Sequence, residues 1–171
     1  MKGLALFIFV GAFSSAAIGQ RTIKVYFHNE KQNPKQADCN KVFAVTRTIP
    51  DTFGVAKAAL EELFKGTTKE DEEKDFWGFP PAETKGILKS VNVKNDAAYV
   101  NFTEKVYEQL GAATTSCGGG FFAMLENTLM QFPKIKKVFY AIEGNPADFY
   151  DWVQVRECPK ELKNCSGKDF Q

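Results

Sequence analysis

Hydrophobic spacing along this chain switches repeatedly between two residues and about 3.6, so strands and helices must alternate. Ile23, Val25 and Phe27 alternate with Lys24, Tyr26 and His28, the pattern of a half-buried strand. Residues 29–38 are polar, contain Asn33-Pro34 and predict a loop. Val42 to Ile49 is rich in β-formers and predicts a second strand, stopped by Pro50. Val55, Ala59, Leu60, Leu63 and Phe64 then recur at helical spacing, with Asp51 or Thr52 as N-cap and Gly66 as the left-handed stop. Residues 67–85 read as an excursion, acidic first and then Phe76-Trp77-Gly78-Phe79-Pro80-Pro81. Ile87, Val91 and Val93 share one side of a hairpin that turns at Lys94-Asn95-Asp96 and returns through Ala98, Val100 and Phe102. Thr103 is placed to cap a short helical turn through Val106 and Leu110. A second long helix starting near Cys117 carries Phe121, Phe122, Leu125, Leu129 and Phe132 on one broad face, and Pro133 ends it. Val138 to Ile142 is apolar on both faces, which predicts a strand at the centre of a sheet. This order predicts an α+β fold: a small, mostly antiparallel sheet with two main helices packed on one face.

The N-terminal residues predict export. Lys2 precedes an apolar run from Leu4 to Phe13, and Ala17 and Gly19 occupy the −3 and −1 positions of a cleavage before Gln20. The run is shorter than the ~20 residues that span a bilayer. No cysteine stands at the cleavage point to carry a lipid. Residues 1–19 are therefore expected to be a signal peptide, 20–148 the domain, and 149–171 an aromatic and cysteine-containing tail. The mature chain would be secreted or periplasmic, with no membrane span. Loss of Lys2 takes the formal charge from +1 to zero. A neutral chain argues against nucleic acid or an anionic membrane as the main partner, since both need a basic footprint.

Export gives the four cysteines, Cys39, Cys117, Cys158 and Cys165, an oxidising environment, and an even count suggests two disulfides. Three connectivities are open. Cys39–Cys117 with Cys158–Cys165 is favoured, because the second pair would tie down the C-terminal region through a short loop around Pro159. A redox pair lacks any C-x-x-C, and zinc lacks both a cysteine knuckle and a second histidine.

Little catalytic chemistry is left. A Ser-His-Asp set has only His28 to draw on, and that residue reads as part of a strand edge. Glu61-Glu62, Glu72-Glu73 and Asp148/Asp151 offer paired acids for a glycosidase, all in charged surface contexts. Gly118-Gly119-Gly120 matches no phosphate-loop pattern and reads as a tight turn into the helix. Asn101-Phe102-Thr103 and Asn164-Cys165-Ser166 match the N-glycosylation pattern by chance, the first inside a predicted strand. No cofactor is expected. Phe76, Trp77, Phe79, Tyr150 and Trp152 form the candidate interaction surface, because aromatics are enriched at binding hot spots, with core packing as the competing reading because such rings also fill a small core.

The residues also carry a family resemblance. Ile23–Phe27, Arg47, Ala58-Ala59-Leu60-Glu61-Glu62-Leu63-Phe64-Lys65-Gly66-Thr67-Thr68, Ala98-Tyr99-Val100-Asn101-Phe102-Thr103 and Asn127-Thr128-Leu129-Met130-Gln131-Phe132-Pro133 with Glu143-Gly144 follow one another as in a GerMN domain. The resemblance covers roughly residues 22–145. Gly66-Thr67-Thr68 lacks the proline usual at that helix exit, and the segment around Trp77 is bulkier than the usual loop. The resemblance implies a bacterial envelope domain without established catalytic residues, and it supports the Cys39–Cys117 pairing. The implied role is binding of an envelope protein or peptidoglycan. The alternatives are a secreted carboxylate-dependent hydrolase and a small-ligand binder using the aromatic segment.

Overall fold

The computed structural model describes residues 19–110, 119–154 and 157–171. Strand β1 (Gln20–Asn29) pairs antiparallel with β2 (Phe43–Pro50) in a register running from Gln20 opposite Pro50 to Phe27 opposite Phe43. Its alternation is as predicted, with Ile23, Val25 and Phe27 buried. The other edge of β1 takes only a two-residue strand, β3 (Phe76–Trp77), opposite His28 and Asn29.

Helix α1 (Val55–Phe64) buries Ala56, Ala59, Leu60, Leu63 and Phe64. Its N-cap is Gly54, with no side-chain cap. Neither Asp51 nor Thr52 fills that role, because the Thr52 hydroxyl accepts from the Gly54 N–H at 3.2 Å, ahead of the helix. Gly66 ends the helix at φ +75° as expected. The excursion folds as α2 (Lys69–Glu72), β3 and α3 (Pro81–Thr84).

The second sheet has the order β4-β5-β6, from β4 (Leu88–Lys94), β5 (Ala97–Phe102) and β6 (Lys137–Ile142). The β4–β5 hairpin turns through Asn95 and Asp96, both at positive φ, the geometry that suits a two-residue turn. Strand β6 runs parallel to β5, since α4 (Lys105–Gln109) and α5 (Gly119–Met130) form the crossover. The central strand is β5, buried at every position. The expected centre, Val138 to Ile142, lies at the edge instead. It is apolar on both faces because Tyr140 packs against Phe122 of α5 and Phe149 of α6 (Pro146–Trp152), while Phe139 on the other face meets Tyr99. Thr103 also departs from expectation: its hydroxyl donates to the Gly86 carbonyl at 2.8 Å, and Glu104 is the N-cap of α4.

The two main helices, α1 and α5, pack on each other, α1 against β1 and β4 and α5 against β1 and β6. The α+β fold is therefore as predicted, with its sheet divided into two three-stranded parts. Phe102, Tyr140 and Phe149 stack in the core, with Tyr140 and Phe149 4.9 Å apart. Phe170 is fully buried and meets the Tyr99 ring edge-on at 5.3 Å. Cys158 and Cys165 form a disulfide with Cα atoms 5.7 Å apart. Cys39 is also disulfide-bonded. Its expected partner Cys117, most of the expected signal peptide and Gly118 lie outside the described residues. Among the described residues, no helix is long and apolar enough to cross a membrane.

Candidate functional site

The excursion from residue 67 to 85 positions the most exposed of the candidate aromatics. It starts with a capping box at α2: the Asp71 carboxylate accepts from the Thr68 N–H at 2.8 Å, and the Thr68 hydroxyl accepts from the Asp71 N–H at 3.3 Å. Asp71 also ion-pairs with Arg47 of β2, whose guanidinium lies 5.9 Å from the centre of the Phe27 ring. Burial alone would raise the Asp71 pKa, but hydrogen bonds from Arg47 and Thr68 overcome it and hold the carboxyl below its usual range. Asn29 donates to the Lys74 carbonyl at 2.8 Å, and the Glu30 N–H donates to Asp75 at 2.9 Å, which brings β3 alongside β1.

From Trp77 to Phe79 the chain passes from surface to core. Trp77 is 39% exposed and stacks on His28, ring centroids 4.5 Å apart at 25°. A Cβ at Gly78 would stand 2.5 Å from the Phe27 ring, so only glycine lets the excursion lie this close. Phe79 turns inward against Phe64 and Phe121. Thr84 then donates to the Phe64 carbonyl at 2.5 Å, satisfying an acceptor left over at the end of α1.

His28, expected at a strand edge, is only 2% exposed. Burial pushes its pKa down, with the Lys41 backbone in partial opposition. Gln36 Nε2 lies 3.4 Å from its Nε2, and a Cβ at Gly120 would come within 2.7 Å of the same atom. Gly120 thus allows α5 to start directly against the imidazole, covering the helix N-terminus. The result is a neutral ring clamped beneath an exposed indole. It is a rigid aromatic platform suited to stacking against an apolar side chain or a sugar face.

The five candidate aromatics do not share one surface. Phe76 is half-buried beside Trp77. Phe79 and Tyr150, expected at an interaction surface, are each 7% exposed and belong to the core. The Tyr150 hydroxyl accepts from the Tyr140 N–H at 3.4 Å, and burial pushes its pKa up to about 12. Trp152 is half-buried and edge-on to both Tyr107 and Phe149. A large ring on a short helix reads the same in sequence whether it fills a core or faces a partner.

The paired acids are mostly engaged. Glu61 and Glu62 form ion pairs with Lys57 and Lys65. Glu72 accepts from the Thr67 hydroxyl at 3.1 Å. Asp148 and Asp151 are exposed on one face of α6 and line an open groove of about 750 Å³ beside the Cys158–Cys165 bridge. Burial raises the pKa of Glu126, which accepts from the Tyr140 hydroxyl at 3.4 Å. Among the described residues, no three His, Cys, Asp or Glu side chains are grouped to hold a metal. Asn101 is buried, accepting from the Gly144 N–H at 2.8 Å, so its glycosylation pattern lies in the core.

Two further residues were not singled out by the sequence as site residues. Gln131 follows α5 and bonds the backbone of β1. Phe53 is fully exposed in the turn before α1. Its one trace in the sequence is an aromatic that fits neither hydrophobic period.

Comparison with known proteins agrees with this architecture. The family described as Germane, sporulation and spore germination, matches residues 24–148. The tandem GerMN domains of the sporulation protein GerM from Bacillus subtilis superpose with a TM-score of 0.50 at 22% identity, covering 74% of this chain and 40% of that one. The chain thus spans two-fifths of that tandem structure. The first GerMN domain of the same protein gives a TM-score of 0.47 at 19% identity, covering 72% of this chain and 84% of that one. No curated protein matches the sequence.

Proposed function

The chain belongs to the Germane family of sporulation and spore germination, and from that membership we propose an exported, non-catalytic GerMN-like domain that binds a protein or cell-wall partner in the bacterial envelope. The observation that carries the binding reading is the Trp77 indole held rigidly on His28 at the open end of β1. An ordered, exposed aromatic loses little conformational freedom on contact, which favours association. Export rests on the Lys2, Leu4–Phe13 and Ala17/Gly19 pattern, and a disulfide at Cys158–Cys165 fits an oxidising compartment. The domain then covers residues 20–148, with 149–171 as a C-terminal segment that packs onto its core through Phe149 and Phe170, and Cys39 pairs with Cys117.

Pull-down from envelope extracts of the source organism, with peptidoglycan sedimentation alongside, tests the reading. The mature chain is expected to be retained in one of the two, and Trp77→Ala to reduce retention at least tenfold while remaining folded. No retention in either would overturn it. N-terminal sequencing of the exported protein should begin at Gln20.

A further inference from the structure

We propose that a second face of the domain, away from Trp77, docks an acidic segment of a partner protein through apolar anchors; this deepens the binding role proposed above and rests on it. The face is a groove of about 670 Å³ where the start of α1, the outer strand β4 and the loop after α5 converge. Its floor is apolar: Val91 from β4, and Phe132 and Ile135 from the loop. Two apolar side chains stand in water at its margin, Phe53 fully exposed and Val93 at 46%. The Phe53 ring comes from a turn that packs it against no ring or core cluster among the described residues.

The charges around the groove identify the occupant. Arg21, Lys57 and Lys134 line it, and no carboxylate does. This is a local excess on a chain whose formal charge is only +1. Arg21 pairs with Asp51 at 2.8 Å and Lys57 pairs with Glu61, but all four side chains are well exposed. Such pairs exchange partners at little cost. Lys134 makes no ion pair among the described residues. A second copy docking through the same face would set these cations against their own kind. A nucleic acid would leave the apolar floor unused. An apolar segment carrying Asp or Glu beside its anchors satisfies both features at once.

The test is selection of a random dodecapeptide phage library on the mature chain. The consensus peptide is then synthesised and its binding measured by fluorescence anisotropy at low and high salt. Expected is a consensus of Leu or Phe interleaved with Asp or Glu. Val93→Glu should bind it at least tenfold more weakly, and Lys134→Glu about fivefold more weakly with less salt dependence. Both positions are exposed, and an unchanged circular dichroism spectrum would show that the variants fold. No consensus, a consensus without carboxylates, or binding unaffected by Val93→Glu would overturn the proposal. So would a dimer in sedimentation velocity that Phe53→Ser dissociates, since the groove would then be a self-interface. Retention of Val93→Glu in the envelope pull-down alongside the wild type would overturn the groove alone. Failure of the wild type to be retained would instead count against the binding role itself.

Discussion

Gln131 pairs with the backbone of Lys24 as a neighbouring strand would: its Oε1 accepts from the Lys24 N–H at 2.8 Å, and its Nε2 donates to the Lys24 carbonyl at 2.6 Å. One turn earlier, the Thr128 hydroxyl accepts from the Tyr26 N–H at 3.2 Å. Two side chains of the α5 region therefore occupy the edge of β1 below the short β3. An edge left open would present unpaired donors and acceptors to other chains.

Gln131→Ala should cost about 1 kcal/mol, because the freed Lys24 groups can bond to water. It should also promote self-association through the reopened edge. Thr128→Val should cost more, about 1–3 kcal/mol, because Thr128 is fully buried and the Tyr26 N–H would lose its partner. Urea midpoints and sedimentation velocity separate the two effects. Equal stability of all three proteins would refute the edge-sealing role.

The Arg47–Asp71 pair fastens the excursion to the first sheet. Asp71→Ala removes the ion-pair partner of a mostly buried guanidinium together with a capping contact, for an expected loss of about 3 kcal/mol. The Asp71 pKa is held down in the folded state, so its stabilisation is complete above the ordinary carboxylate range and is lost as pH falls through the folded value. Asp71→Asn should flatten the acid limb of a stability–pH curve measured by urea unfolding. An unchanged limb would mean that the pair contributes nothing.

His28 titrates in the opposite chemical sense with the same outcome for pH. Burial favours its neutral form, so the unfolded chain takes up a proton at higher pH than the folded one. Stability should be full above about pH 6.5, the ordinary histidine value, and decline as pH falls through that value toward the lower folded pKa. Comparison of urea midpoints at neutral and mildly acidic pH, for the wild type and His28→Gln, isolates this contribution. The variant should be less stable and less dependent on pH in that window.

Phe170→Ala should destabilise by about 3–5 kcal/mol, the range for a buried phenylalanine, where a position on a loose tail would cost almost nothing. Thermal unfolding of the variant decides between the two.

Replacing Cys158 and Cys165 together with serine should cost about 2–3 kcal/mol in the chain-entropy account, given their separation of seven residues. Intact mass after alkylation without reductant should show no added label. Label uptake would mean free thiols and remove the two-disulfide arrangement.

The local elements were largely legible in the sequence. Alternation at Ile23–Phe27, helical spacing from Val55 to Phe64, the turn at Asn95-Asp96 and the stop at Gly66 each follow from contacts within a few residues. The division of the sheet was not, because the edge of β1 is occupied by groups distant in sequence, such as Gln131 meeting Lys24 across 107 positions. The edge position of β6 was hidden too. A strand covered by α6 and a central strand carry the same apolar pattern. The aromatics were legible as large rings and ambiguous as to side: Trp77 and Phe79, two residues apart, finish in water and in the core. Phe53 fitted no period, and its exposure became visible only with the turn that holds it.

The burial of Phe170 sets an order in time. Ser90, eighty positions earlier, donates to the Phe170 carbonyl at 3.3 Å, and the Tyr99 ring waits for its side chain. The face of β4 and β5 that receives it is therefore wet until residue 170 arrives. A chain threaded across a membrane from its N-terminal end would emerge with that face uncovered. Its vulnerable interval, when proteases and chaperones have access to the β4–β5 hairpin, lasts until Phe170 is delivered.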